Sequence, residues 1–292
     1  MSELKPIAYA GGDHAVLLLH GLSSSPLEMR FLARALNREG FTSVAPLLDG
    51  YSAGSPHARM ESWIAAAVRE FDALARQYAR VSVCGLSIGA ALSLAVVHER
   101  PSAQALILLS LTLDYDGWAM PWYRFLLYWA YYTPLRHRWR YREEQPFGLR
   151  NEALRAKVAR AMQRSDFSEV GPSTISLPAL HEASRLARCV RGVVPSITTD
   201  SLVIHAIDDE TSSPLNARFV ASRVNSSFLR TIFLDDSYHM ITSDNEREIV
   251  AREIVLFLRE SQEAGDVADG KRAPVISKAL ARRLRQIAAL ST

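Results

Sequence analysis

Residues 83–90 read VCGLSIGA, an apolar run that delivers a serine held between two glycines in Gly85-Leu86-Ser87-Ile88-Gly89. A serine hydroxyl is a weak nucleophile until the chain lifts it clear of its neighbours and a base takes its proton. A sharp strand-to-helix turn does the lifting. It strains the backbone at the serine and crowds the flanking residues, so glycine at 85 and 89 removes the β-carbons that would collide. The helix that follows aims its free N–H groups at the reacting atom and favours developing negative charge. A plain strand–turn–helix junction would need none of this, so the reading depends on finding a base and an orienting acid at the same end of the sheet.

The chain has eight histidines to supply the base. His239, in FLDDSYHMITSD, follows the last strand-like run and precedes the last helix, where catalytic groups gather in open α/β sheets. His20 and His205 also lie at strand ends, and for His20 the expected role is packing and hydrogen bonding beside the loop. His98, His137 and His181 fall on helices or in a long insertion and read as surface residues. For the acid, HAIDDET (205–211) offers Asp208, Asp209 and Glu210 after the preceding strand. Asp235 and Asp236 are so near His239 that a loop reaching back is hard to build. Asp209 is preferred, with Asp208 as the fallback.

Stepping from these residues to what must hold them, AVLLLH (15–20), FTSVAP (41–46), VSVCG (81–85), ALILLS (105–110), SLVIHA (201–206) and FLRTIFL (228–234) read as buried strands. PIAYA (6–10) adds an edge strand. Helical spacing over 27–39, 58–79, 88–99, 214–224 and 244–260 falls between or after them. Strands alternating with helices predict a mostly parallel sheet in three layers. Residues 112–195 interrupt the rhythm, helical at 122–132 and 151–164 with turn signals at Pro172, Pro178 and Pro195. Residues 261–273 read as a polar linker. In 275–290, Ile276, Leu280, Leu284 and Ile287 share one helical face with arginines opposite.

With Ser87, Asp209 and His239 in that chain order, the sequence resembles the α/β-hydrolase superfamily. Within it, LLLHGLSSSPLEMRFLARALNREGFTSVAP, AIDDETSSP and DDSYHMIT resemble the bacterial carboxylesterases and monoacylglycerol lipases. The resemblance covers about 15–110 and 200–260. It implies a three-layer α/β-hydrolase fold, with 1–111 and 196–260 as the core, 112–195 as a helical cap and 261–292 as linker and basic tail. It favours Asp209 over Asp208, because the family's acid stands three residues beyond the small residue ending the strand, here Ala206. It implies an oxyanion hole from the backbone N–H groups of Leu22 and Ile88. It departs from the family at LLDGYSAGSPH, where Gly-His-Gly is common and this chain has Asp49 and Tyr51; Asp49 reads as a solvated loop acid.

The bulk composition is that of an ordinary soluble chain, 48% hydrophobic and 22% charged. No run is long and apolar enough to span a bilayer and the first residues lack a signal-peptide core, so a cytoplasmic location is expected, with peripheral membrane contact through the tail. Two cysteines, Cys84 and Cys189, argue against a disulfide framework. The net charge of +3 is uneven, since residues 271–292 hold six basic and no acidic residues and leave 1–270 at −3. The tail is expected to meet an anionic membrane or partner. An acidic body without a recognition motif argues against nucleic acid. Eleven of the 25 aromatic residues lie between Tyr115 and Tyr141, as the core of a cap or the wall of an acyl pocket. Trp118, Trp122 and Tyr123 are the candidate substrate-binding residues.

The expected function is hydrolysis of a carboxylic ester with an apolar acyl group through a Ser-His-Asp triad, with no metal and no cofactor. The four arginines of Arg136–Arg142 motivate an alternative, a thioesterase or acyltransferase for coenzyme A or carrier-protein acyl groups. A binding module without catalysis has no use for all three triad residues.

Overall fold

A computed structural model of the chain describes residues 4–164, 167–168 and 171–268. Its centre is a seven-stranded sheet of β1 (Ile7–Tyr9), β2 (His14–Leu19), β3 (Thr42–Ala45), β4 (Arg80–Leu86), β5 (Ala105–Leu109), β10 (Asp200–Ala206) and β11 (Leu229–Leu234), in the order β1-β3-β2-β4-β5-β10-β11. All neighbours run parallel except β1, which pairs antiparallel with β3 at the edge. Between them run α1 (Arg30–Arg38), α2 (Met60–Ala75), α3 (Ile88–Glu99), α7 (Leu215–Ala221) and the closing α8 (Arg247–Ala268). The insertion contributes α4 (Leu126–Tyr131), β6 (Arg140–Arg142), α5 (Glu152–Arg164), β7 (Phe167–Ser168), β8 (Gly171–Pro172), β9 (Thr174–Ser176) and α6 (Leu177–Val193).

The strands read as continuous apolar runs because both faces are covered. Along β2, Ala15, Leu17 and Leu19 join one core with Trp63 and Phe71 of α2 and Leu92 of α3. Val16 and Leu18 join the other with Leu32 and Leu36 of α1 and Ile254 and Phe257 of α8. The twofold alternation of a strand thus divides the interior into two layers.

Two parts of the chain depart from the sequence reading, each for a local reason. Pro178, expected to mark a turn, sits in the first turn of α6, where a missing N–H costs nothing. Ser176 caps that helix by accepting from the Ala179 N–H at 3.3 Å. Ala183, Leu186, Ala187 and Val190 of α6 are buried in the same layer as α2 and α3, so the second half of the insertion packs with the sheet's helices. At the other end, α8 continues through Ala268 where a linker was expected. Buried Ser261 anchors it, donating to Asp200 Oδ2 at 2.7 Å while its carbonyl accepts from Gln104 Nε2 at 3.1 Å. The amphipathic stretch 275–290 lies outside the described residues.

Candidate active site

The strand β4 ends at Leu86, and α3 begins at Ile88 with Ser87 between them at φ 59°, ψ −120°. That conformation costs a non-glycine residue about 1–3 kcal/mol and persists only where the surroundings impose it. Here a β-carbon on Gly85 would lie 2.1 Å from the Gly89 carbonyl oxygen, and one on Gly89 would lie 2.3 Å from the Leu19 oxygen. The glycines let α3 press against β2, and the Ser87 N–H is tied to the Leu109 carbonyl at 2.9 Å.

Ser87 Oγ stands 2.9 Å from His239 Nε2, and His239 Nδ1 stands 2.8 Å from Asp209 Oδ2. The three come from the carboxyl ends of β4, β11 and β10. Asp209 is fixed from behind, its Oδ1 accepting the Thr211 and Ser212 N–H groups at 2.8 Å each. Burial would push its carboxyl up, but adjacent His239 and these hydrogen bonds hold it below the usual carboxylate range. For His239 burial works downward, and Asp209, Glu210 and Glu143 overcome it and push the imidazole up to about 9. The fallback acid Asp208 points elsewhere, forming an exposed ion pair with Arg150 at 3.0 Å. His205 is buried against the Ser212 carbonyl at 2.8 Å. His20 is also buried, between the Gly21 carbonyl and Ser52 Oγ at 2.8 Å each, and burial lowers it to about 4, in keeping with a neutral packing role.

The N–H groups of Leu22 and Ile88 have no hydrogen-bond partner among the described residues. Leu22 and Ser87 line the same small cavity of about 90 Å³. Buried donors are nearly always paired, and an unpaired N–H beside a serine hydroxyl is chemically able to receive developing negative charge. The loop carrying Leu22 is closed by Glu28, whose Oε2 accepts the Gly21 N–H at 2.8 Å. Burial raises Glu28 to about 7.

Glu28, Glu143 and Thr112 escaped the sequence reading, which named Glu210 only as a candidate acid. Glu28, Glu143 and Glu210 all line the small cavity. Burial raises Glu143 to about 7 and raises Glu210, whose Oε2 accepts the His239 N–H at 3.1 Å. Thr112 Oγ1 lies 3.2 Å from Ser87 Oγ and 3.2 Å from Ser212 Oγ. Only Glu210 carried a signal, its place beside Asp209.

A larger cavity of about 550 Å³ adjoins the first and shares Tyr115, Glu143, Ile175 and Thr211 with it. Of the candidate substrate-binding residues, Tyr123 lines it and the two tryptophans do not. Trp118 packs edge-on against Tyr238 and donates its indole N–H to the Asp208 carbonyl at 3.0 Å. Trp122 is 81% exposed, with Tyr123 and Phe125 against it. Strand periodicity accounts for the second half of the arginine run. In β6, paired antiparallel with β9, Tyr141 turns to the cavity while Arg140 and Arg142 face out. Asp49 is exposed, whereas Tyr51 is buried and donates to the His20 carbonyl at 2.8 Å.

Against known proteins, residues 12–246 match the family described as serine aminopeptidase, S33. The chain is 26% identical over 262 residues to a carboxylesterase of Bacillus subtilis (strain 168), covering 88% of this chain and 96% of that protein. It is 23% identical over 267 residues to a thermostable monoacylglycerol lipase of Bacillus sp. (strain H-257), covering 89% and 97%. The crystal structure of a Paleococcus ferrophilus monoacylglycerol lipase superposes with a TM-score of 0.72 at 17% identity, covering 89% of this chain and 99% of that one. Among the described residues no helix is long and apolar enough to cross a membrane.

Proposed function

The chain belongs to the serine aminopeptidase S33 family of α/β-hydrolases, and from that premise we propose that it hydrolyses carboxylic esters with an apolar acyl group through an acyl-enzyme on Ser87. The observation that carries this is the unbroken hydrogen-bond chain Ser87–His239–Asp209, with Ser87, His239 and Leu22 lining one small cavity. Neutral His239 accepts the Ser87 proton at Nε2 as Oγ bonds to the ester carbonyl carbon. The carbonyl oxygen becomes an oxyanion held by the Leu22 and Ile88 N–H groups. Asp209 keeps the proton on Nδ1 and stabilises the imidazolium. Collapse expels the alcohol, which takes the proton from Nε2. Water, deprotonated by His239, then attacks the acyl-enzyme and returns Ser87.

The relatives' names support esters over peptides as substrates. The cavity shapes support a small group beside Ser87 and a longer, apolar one against Tyr115, Tyr123 and Tyr141. The arginines that motivated a thioester reading do not line either cavity, and the larger one is lined instead by Arg124, Arg185 and Arg188. The test is hydrolysis of chromogenic acyl esters of increasing chain length by wild type beside Ser87→Ala. Turnover lost in the variant supports the proposal. A fully active variant, or cleavage of aminoacyl amides with no turnover of any ester, overturns it.

A further inference from the structure

Away from the triad, a groove of about 260 Å³ runs between α1, the start of α5 and the start of α8. Four of its nine lining residues are arginines, namely Arg30, Arg34, Arg38 and Arg247, and no carboxylate lines it among the described residues. Its apolar walls are Leu27, Phe31, Ala35 and Leu154.

This concentration of charge works against the fold. Arg30, Arg34 and Arg38 recur at every fourth position of α1, and like charges at that spacing destabilise a helix. Arg30 is also the first residue of α1, where the macrodipole disfavours a cation. The side chains are nevertheless held in place. Arg34 donates its Nε to Tyr9 Oη at 3.0 Å, which leaves its two terminal nitrogens to the groove. Arg247 lies over the Phe31 ring at 4.7 Å and donates to Glu248. Arg38 has no side-chain hydrogen bond or ion pair among the described residues.

We infer that this groove binds a small amphipathic anion, an oxyanion head of phosphate or carboxylate type on a short aliphatic chain. Arginine forks match both heads by paired charge-assisted hydrogen bonds. Phe31, Leu27 and Leu154 supply the surface for the chain. The size suits a head and a few carbons, since a cavity of roughly 150 Å³ holds benzene. The site touches both halves of the machinery. Leu27 adjoins Glu28, which closes the loop of Leu22, and Ser243 donates its N–H to the Met240 carbonyl, one residue past His239. An occupant is therefore placed to alter turnover without entering the small cavity.

The test is calorimetric titration of the full chain with octyl phosphate, octanoate, inorganic phosphate and octanol, on wild type and on Arg34→Gln/Arg38→Gln. Octyl phosphate or octanoate should bind wild type, and which is tighter assigns the head. The double variant should weaken that binding on the order of tenfold or more. Its thermal midpoint should hold or rise, because like-charge repulsion is relieved. With a soluble ester as reporter, the bound anion should change kcat rather than KM. Unchanged binding in the variant, equal binding of octanol, equal binding of inorganic phosphate, or capture only by anionic vesicles would each overturn the inference. Failure of ester turnover would count against the proposed function and leave the titration standing.

Discussion

Ser87, Asp209 and His239 follow strands of one sheet, whereas Tyr123, Tyr141 and Glu143 come from an insertion whose only sheets among the described residues are pairs of two- and three-residue strands. An isolated two-stranded ribbon is marginal in water. The part of the insertion ahead of α6 is held instead by the loops beside the site. The Gly117 and Ala119 N–H groups donate to Thr211 and Glu210, and Gly148 accepts from Met240. Arg150 and Asn151 donate their backbone N–H groups to the two oxygens of Asp244. A floor held by its own core and a roof held by the floor should respond differently to substitution.

The floor's largest response is chemical. Under the proposed mechanism, Ser87→Ala should lower kcat by about 10⁴-fold or more, with the urea midpoint near wild type because the elbow is kept. Steady-state kinetics beside a denaturation curve check both halves. A large loss of stability in this variant would erase the separation between chemistry and scaffold.

The next effect is steric. Gly89→Ala should cost about 3 kcal/mol, at or above the upper end for overpacked cores, because its β-carbon meets the Leu19 and His20 carbonyls at the end of β2. Gly117→Ala places its β-carbon equally close, 2.2 Å from the Glu210 carbonyl carbon, but at the seam between cap and floor. It should lower activity by shifting the acid loop while leaving the denaturation midpoint closer to wild type. Equal losses of stability in the two would show that cap and floor unfold as one unit.

This division also governs what the sequence makes legible. The elbow, the acid after β10 and the histidine after β11 are readable because each is punctuated: glycines around Ser87, a small residue ending a strand before Asp209, a short loop before α8. Strand periodicity and burial on both faces are properties of contiguous residues. Glu143 and Thr112 are not readable, because nothing next to them in sequence says that they meet His239 and Ser87. Trp118 and Trp122 mislead for the same reason, since an aromatic run is equally consistent with a cavity wall and with an outer surface. In β6 the alternation is present in RWRYR, but three residues are too few to announce a strand before its partner β9 is known.

A smaller effect probes the roof alone. Tyr123→Ala enlarges the 550 Å³ chamber at its wall without touching the triad. It should shift the acyl-length optimum toward longer chains, with a several-fold change in kcat/KM, of the size expected when one or two methylenes change their packing. A chain-length series on the variant reads this directly. An unchanged optimum would mean that the larger chamber takes the alcohol side of the ester.

The subtlest effect runs from roof to floor through charge. His239 is pushed up to about 9, and under the proposed mechanism only its neutral form accepts the Ser87 proton, so activity should climb with pH and level off above that value. Stability should move the other way. A histidine raised from 6.5 contributes stability that is complete below 6.5 and lost as pH rises through about 9. Glu28 and Glu143, raised from 4.5 to about 7, are neutral in both states at low pH and begin to destabilise the fold above 4.5 as the unfolded chain ionises more readily. Glu143 is ionised where His239 titrates and is among the groups that raise it. Glu143→Gln should therefore move the activity limb to lower pH, by less than loss of Asp209 would, because Asp209 is the larger cause. It should also flatten the fall in thermal midpoint between pH 4.5 and 7. A kcat/KM–pH profile and a midpoint–pH profile of the same variant test the two halves together. A displaced limb with an unflattened midpoint would assign Glu143 to the histidine's field and deny it a cost of burial.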